Sequence, residues 1–255
     1  MRMTGNTILI TGGASGIGRA LAQSFHALGN TVIVAGRREA LLEGVTSANL
    51  GMKSAMLDIA DADAIRSFAQ QLKLEYPSLN AVIHNAGIMK TEVLSEGKLE
   101  DAEATIATNL LGPIRLNAAL LPHLESQPHA TIMTVSSGLA FLPLNLNPTY
   151  CATKAAIHSY TQSLRYQLKD SNVQVLELIP PYVQTELTGA RQADDPHAMP
   201  LEAFISEVMQ LLEDQPNATE ICVERVKAQR LAAENGGYDG FFKQFNDAMT
   251  AARTQ

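Results

Sequence analysis

Short runs of unbroken apolar residues alternate along the chain with segments whose apolar positions recur every three or four residues. The first kind predicts strands at Thr7–Thr11, Thr31–Ala35, Lys53–Leu57, Ala81–His84, Thr131–Val135 and Val173–Ile179, with a weaker one at Glu220–Val223. The second predicts helices near Gly16–Leu28, Glu39–Ala48, Asp61–Glu75, Leu99–Glu125 and Pro148–Lys169. The strands are continuously apolar rather than alternating, as a sheet covered by helices on both faces requires. Strand–helix alternation of this kind implies right-handed crossovers and an α/β fold with a doubly wound parallel sheet of about seven strands.

No repeat, low-complexity run or linker divides the 255 residues, so the chain reads as a single domain. Thr185–Pro200 is rich in Gly, Asp, Pro and polar residues and reads as a mobile loop followed by a short helix, together a substrate loop near 185–214. A helical tail is expected near 236–252, where Phe241, Phe242, Phe245 and Met249 recur at helical spacing and need cover. Packing in the core or an interface is the plainer reading of that tail; a substrate lid is the sharper one.

Ligands of doubly wound sheets bind beyond the carboxyl ends of the strands. Gly12, Gly36, Asp58, Asn85, Ser137 and Pro180 all fall at such ends, which converges on one site. The turn Thr11-Gly12-Gly13-Ala14-Ser15-Gly16-Ile17-Gly18 joins the first strand to a helix-prone Arg19-Ala20-Leu21-Ala22. Its spacing is G-x-x-x-G-x-G rather than G-x-G-x-x-G, yet the strand–turn–helix context is that of a dinucleotide-binding Rossmann fold. Glycines there let backbone approach a pyrophosphate, and the free amides and positive dipole end of the helix suit its charge. Gly12, Ser15, Gly16, Ile17 and Gly18 are therefore cofactor-binding candidates.

The end of the second strand selects between cofactors, because an acidic residue there holds both ribose hydroxyls and repels a 2′-phosphate. Here the strand ends in Gly36-Arg37-Arg38 with no carboxylate. Gly36 leaves room, and the guanidinium of Arg37, with Arg38 beside it, matches phosphate geometry. Cations near a helix N-terminus oppose its dipole and need another reason to be there. The expectation is NADP(H) in preference, with NAD(H) possible. Asp58, with Ile59 beside it, is placed to accept from an adenine amino group, while Asp61 suits the helix N-cap. Asn85-Ala86-Gly87 lets backbone lie against the adenine ribose. After the sixth strand, Pro180-Pro181-Tyr182-Val183-Gln184-Thr185 offers Thr185 and the Val183 backbone as anchors for the nicotinamide carboxamide.

Tyr150 and Lys154 stand four residues apart, so phenol and ammonium share one helix face. A cation beside a phenol favours the phenolate and predicts a tyrosine pKa below its reference of about 10. Such a tyrosine can pass a proton to or from an alcohol oxygen. A Y-x-x-x-K spacing alone decorates many solvated helices; its joint occurrence with the glycine turn gives it weight.

Taken in order, T-G-x-x-x-G-x-G at Thr11–Gly18, N-A-G at Asn85–Gly87, the lone Asn109, Ser137 and Y-x-x-x-K at Tyr150–Lys154 resemble the short-chain dehydrogenase/reductase superfamily over nearly the whole chain. Ser136–Phe141 and Tyr150–Ala156 look more narrowly like its DltE-type members. The resemblance implies an oxidoreductase that transfers hydride between nicotinamide and a carbonyl or secondary alcohol. It implies that Tyr150 acts as general acid in reduction and general base in oxidation. Ser137 would hydrogen-bond the substrate oxygen, and Lys154 would bind the nicotinamide ribose and lower the Tyr150 pKa, helped by the positive charge of the oxidised ring. Asn109 would bend the long helix and hold a water in a proton relay. Three departures stand out against the family pattern. His84 takes a position that is often Asn, Pro181 replaces a common Gly, and the helical tail replaces a V-D-G-G-like end. The last of these favours a homodimer through Leu99–Glu125 and Pro148–Lys169 over the common tetramer.

Composition narrows the partners. Hydrophobic residues make up 46% of the chain, enough for a full core, and no run approaches the roughly 20 apolar residues of a membrane span. Met1–Asn6 carries no apolar signal region, which predicts a cytoplasmic protein. Two cysteines, Cys151 and Cys222, offer neither a disulfide framework nor metal-ligand spacing. A net charge of −7 argues against nucleic acid or an anionic membrane as partner. The expected partner is a small-molecule carbonyl or alcohol, neutral and with apolar bulk. Its wall would come from Met89, Leu139, Phe141, Leu142, Leu144, Tyr182 and the Thr185–Pro200 loop. The rival reading is a non-catalytic NADP-binding protein that senses redox state through partner binding. Such a protein would be expected to have lost Tyr150, Lys154 or Ser137, and all three are present. A nucleotide-sugar epimerase or dehydratase would need more chain after the sixth strand.

Overall fold

The computed structural model describes residues 1–253. Seven strands form one sheet: β1 (Thr7–Thr11), β2 (Thr31–Gly36), β3 (Lys53–Met56), β4 (Leu79–His84), β5 (Ala130–Val135), β6 (Val173–Ile179) and β7 (Glu220–Cys222). Every neighbouring pair is parallel and the order is β3-β2-β1-β4-β5-β6-β7. The helices are α1 (Gly16–Ala27), α2 (Glu39–Ala48), α3 (Ala62–Glu75), α4 (Glu100–Ile106), α5 (Gly112–Glu125), α6 (Pro148–Gln167), α7 (Ala190–Ala193), α8 (Leu201–Asp214), α9 (Lys227–Arg230) and α10 (Tyr238–Arg253). None of them is long and apolar enough to cross a membrane.

The pleat explains why the central strands carry no polar alternation. Ile8 and Ile10 of β1 join Val32 and Val34 of β2 in one core, which also takes Leu21 and Phe25 of α1 and Phe204 and Val208 of α8. Leu9 and Ile33, one residue out of phase, join the opposite core with Ile65 of α3, Leu116 and Leu120 of α5 and Leu164 of α6. Both faces are buried, so both phases of the strand must be apolar. The strand order reverses between β1 and β4, and the cleft above that point holds the polar residues discussed below.

Most elements start or stop within a residue or two of expectation. Asp61 caps α3, its carboxylate accepting from Asp63 N (2.8 Å) and Ala64 N (3.1 Å). Two differences matter. The single helix expected over Leu99–Glu125 is instead α4, a π-helical turn at Ala107–Leu111 and α5. A Cβ on Gly112 would lie 2.5 Å from the carbonyl oxygen of Ile59, so α5 approaches the end of β3 with backbone against backbone. The second difference is downstream of β6. Thr185–Pro200 is tied at its base, where Gln184 N donates to Met199 O and Met199 N to Tyr182 O, both at 2.8 Å. The helix after it, α8, runs to fourteen residues, because Phe204, Ile205, Val208 and Leu212 give it a full apolar stripe.

Candidate active site

The glycine turn is packed from both sides. Gly12 has φ +67°, and a Cβ there would stand 2.9 Å from Ala86 Cα, which leaves glycine as the fitting residue. A Cβ on Gly18 would overlap Asn85 Nδ2 and Gly12 O. Asn85 holds the turn, its amide nitrogen donating to Thr11 O (3.1 Å) and Gly12 O (3.2 Å). In return Thr11 Oγ1 accepts from the backbone amides of Asn85 (3.1 Å) and Ala86 (3.2 Å). Asn85 and Ala86 therefore brace the turn. A Cβ on Gly16 would meet the Thr185 side chain at 3.4 Å, so the segment after β6 packs beside the glycine turn.

At the end of β2, a Cβ on Gly36 would meet, among the described residues other than its chain neighbours, only Leu42, at 4.0 Å. Arg38 donates to Ser15 Oγ (2.8 Å), tying the second strand's end to the glycine turn, and Arg37 lies 3.9 Å from Asp58. Both arginines are exposed. Asp58 Oδ1 accepts from Ala60 N at 3.0 Å. Ile59 is buried with its carbonyl against Gly112. Ile17 packs on the core from the first turn of α1.

Tyr150 and Lys154 project from α6, Ser137 follows β5 and Asn109 sits in the π turn. All four are buried, at 6%, 5%, 8% and 2% exposure. Lys154 Nζ lies 5.5 Å from the centre of the Tyr150 ring and donates to Val135 O at 2.7 Å. Asn109 makes a two-way pair with the backbone of Ile88, accepting from its N–H and donating to its carbonyl, both at 2.9 Å. Its amide nitrogen also donates to Thr153 Oγ1 at 3.3 Å, which links the π turn to α6. Gly87 fits between them, since a Cβ there would stand 3.4 Å from Asn109 Oδ1 and 3.8 Å from Lys154 Nζ. Ser137 Oγ accepts from Leu139 N at 3.1 Å.

The electrostatics overturn one expectation. Burial pushes the Tyr150 hydroxyl above its ordinary range, and the hydrogen bond from Ser137 pulls it back only in part. Burial also lowers Lys154 to about 8, with Glu177 opposing. The phenol is therefore raised rather than lowered in the folded chain, with burial the largest cause. His84, with Nε2 2.7 Å from Asn117 Oδ1, is held neutral by burial, its pKa lowered to about 4. It is a strand-end polar contact.

The wall beside the phenol differs from the expected one in several places. Leu144, Tyr150 and Cys151 form a cluster with Met89, Leu139, Leu146, Phe245 and Met249. Phe141 is absent from it: its ring meets His158 edge-on at 4.7 Å and lies 4.7 Å from the Arg230 guanidinium. Leu142 is fully buried outside that cluster, and the Tyr182 hydroxyl turns away to donate to Asp195 at 3.0 Å. The tail helix α10 brings in Phe245 and Met249, clasped by Asn246, which accepts from Asn145 N (2.7 Å) and donates to Pro143 O (3.0 Å).

Beyond β6, Pro180 O accepts from Gly138 N at 2.9 Å. Val183 and Thr185 are buried and both bond to Gln192, a residue with no sequence signal to single it out. Glu177 also escaped notice, although a carboxylate inside the apolar run Val175-Leu176-Glu177-Leu178-Ile179 is a readable signal. It is wholly buried with Oε2 2.8 Å from His158 Nδ1. Its register partner Glu220 is held by Arg230 at 2.8 Å.

With this geometry in view, residues 6–196 match the family described as short chain dehydrogenase. Over 252 residues the chain is 40% identical to the uncharacterized oxidoreductase DltE of Bacillus subtilis (strain 168), covering 96% of this chain and 98% of that one. The closed form of serine dehydrogenase complexed with NADP+ superposes with a TM-score of 0.74 at 26% identity, over 80% of this chain and 88% of that one. A short-chain dehydrogenase from Sphingobium yanoikuyae in complex with NADPH shares the fold at a TM-score of 0.79 and 24% identity, over 93% and 95% of the two chains. Together, the match across most of the sheet and the identity over nearly the full length show that this chain belongs to the short-chain dehydrogenase/reductase family of oxidoreductases.

Proposed function

We propose that the protein moves hydride between NADP(H) and a carbonyl or secondary alcohol, with Tyr150 as general acid and base. The observation that carries this reading is the gathering of Tyr150, Lys154, Ser137 and Asn109, all withdrawn from water, beside a glycine turn that leaves no room for a Cβ at Gly12 or Gly18. Burying polar and ionisable groups costs free energy, and such groups collect where chemistry uses them.

The turn fits a dinucleotide: Gly12 and Gly18 keep its floor clear of Cβ atoms, and Ser15, Gly16 and Ile17 open a helix whose free amides suit a pyrophosphate. Asn85, Ala86 and Gly87 would border the adenine ribose, and Asp58 with Ile59 the adenine. Val183 O and Thr185 Oγ1 would accept from the nicotinamide carboxamide, with Pro180 at the turn. Bound nicotinamide would supply or take up the hydride. The Tyr150 hydroxyl would then hold the proton that moves to or from the substrate oxygen, and Ser137 would hydrogen-bond that oxygen. Lys154 would hold ribose hydroxyls, and Asn109, locked to Ile88, would keep its end of the relay in place.

NADP(H) is preferred in this reading because the end of β2 carries Arg37 and Arg38 and no carboxylate. The serine dehydrogenase of similar fold was solved with NADP+. A neutral substrate with apolar bulk suits the cluster of Met89, Leu139, Leu144, Leu146, Phe245 and Met249. Two copies would pair through α4–α5 and α6, which expose Ile106 and Tyr166. The sensing alternative is disfavoured because Ser137, Tyr150 and Lys154 are all retained.

Fluorescence titration with NADPH and NADH tests the reading. NADPH should bind tighter, and Arg37→Ala should weaken it by about tenfold, the scale of one charge-assisted hydrogen bond. Tyr150→Phe should abolish turnover in an NADPH-dependent carbonyl screen while leaving NADPH binding nearly intact. Retained turnover refutes the role of Tyr150; equal NADPH affinity in Arg37→Ala refutes the role of Arg37.

A further inference from the structure

From Glu186 to His197 one side chain is buried, that of Gln192 on the single-turn α7. Its amide nitrogen donates to Val183 O (2.8 Å) and Thr185 Oγ1 (3.1 Å). Its carbonyl oxygen accepts from Thr188 N (3.0 Å) and Thr188 Oγ1 (2.8 Å). Two donors and two acceptors exhaust what a primary carboxamide can offer. Val183 O and Thr185 Oγ1 are also the two acceptors assigned above to the nicotinamide carboxamide. Thr185 lies beside Gly16 of the phosphate turn.

We infer that Gln192 supplies an internal primary carboxamide that holds the nicotinamide amide's place, so that docking of the cofactor's nicotinamide end expels Gln192 and the segment it anchors. This rests on the cofactor reading above. The two acceptors stay where they are when Gln192 leaves, because Gln184 N to Met199 O and Met199 N to Tyr182 O fix their strand independently. Downstream, Tyr182 and Gln184 hold Asp195 at 3.0 and 3.1 Å, which marks the end of the part that moves. Upstream, Gly189 at φ +111° starts α7 where an ordinary residue would be strained. Between them Glu186–Arg191 are exposed, so displacement breaks Gln192's own hydrogen bonds and little apolar packing. The exchange trades one amide for another at the same acceptors, leaving their hydrogen bonds made in both states. Nicotinamide docking would thereby free the segment over the cleft.

The test compares NADPH with adenosine 2′,5′-bisphosphate, which carries the 2′-phosphate end and no nicotinamide. Gln192→Ala should bind NADPH about tenfold tighter, having no internal competitor, and bind the bisphosphate as the wild type does. In the nitrogen-15-labelled wild type, the side-chain amide resonance of Gln192, identified by its loss in the variant, should be protected from solvent exchange. NADPH should abolish that protection and the bisphosphate should not. Protection that persists at NADPH saturation, or NADPH binding weakened by Gln192→Ala, overturns the inference and makes Gln192 a clamp of the turn. If the wild type binds neither ligand, the cofactor reading itself falls and takes this inference with it.

Discussion

Gly18→Ala is the sharpest probe of the phosphate turn. Gly18 lies in the first turn of α1, and a Cβ there would overlap Asn85 Nδ2 and Gly12 O. The helix backs onto the turn, so the substitution must expel the Asn85 amide from its bonds to Thr11 O and Gly12 O. Two neutral hydrogen bonds are worth about 1 kcal/mol each. Overpacking of a tight site adds about 1–3 kcal/mol, and the better helix propensity of alanine returns about 1 kcal/mol. The net expectation is a loss of about 2–4 kcal/mol in urea unfolding at constant m-value. Asn85→Ala alone should cost about 2 kcal/mol but add almost nothing on top of Gly18→Ala, since the amide is already displaced. NADPH binding should weaken with the turn. A Gly18→Ala protein within about 0.5 kcal/mol of wild type, or strictly additive with Asn85→Ala, refutes the argument that these two side chains contest one space.

Other substitutions test the same physics elsewhere. Gly44, inside α2 with nothing among the described residues beyond its chain neighbours and own helix backbone within 4 Å of its missing Cβ, should gain about 0.5–1 kcal/mol on replacement by alanine; a loss in urea unfolding refutes this. Burial holds the His84 pKa at about 4. Between that value and its unfolded value of about 6.5 the unfolded state binds more protons, so stability falls as pH drops through this window, by about 3 kcal/mol in all. His84→Asn should flatten this acid limb, and an unchanged slope would exclude the assignment. Lys154, lowered to about 8 by burial, costs stability while it is charged. Lys154→Met should therefore stabilise the fold at pH 7 by about 1–3 kcal/mol, allowing for the lost bond to Val135 O. The gap should narrow from about pH 8 to about 10.5, where the folded lysine is neutral and the unfolded one still protonated; a gap that widens there refutes the argument.

The five central strands were legible because they need apolar residues in both phases, a pattern no surface helix imitates. β1 and β6 begin and end where the apolar runs do. The site residues at strand ends were legible for the same reason: once the strands are placed, Gly12, Asn85 and Ser137 can only lie along one edge. What escaped was set by contacts between distant segments. Phe245 and Met249 announce by their spacing that they need cover, but only the fold puts them against Leu144 and Tyr150. The resemblance placed a bend at Asn109, but its π-helical form and the pairing of its side chain with the Ile88 backbone are not encoded in propensity. Gln192 stands in a polar stretch and looks solvated; its burial depends on the loop folding back onto Val183 and Thr185.

The tyrosine expectation failed for a reason that bears on direction. Sequence spacing supplies a cation one turn away, and in water that would favour the phenolate. In the folded chain both partners are desolvated, which disfavours charge on either. The burial that raises Tyr150 also lowers Lys154, so the two shifts converge on a neutral phenol beside an amine whose charge is easily lost. Glu177, wholly buried, opposes that loss, though burial remains the larger influence on Lys154. A protonated phenol is the form that donates to a carbonyl oxygen, so on the proposed chemistry the raised proton affinity of Tyr150 suits the general-acid role. Acting as a base in oxidation calls for more positive charge near the phenol than Lys154 provides alone. On the proposed chemistry an oxidised nicotinamide carries such a charge and a reduced one does not, which couples the proton affinity of Tyr150 to the redox state of the cofactor.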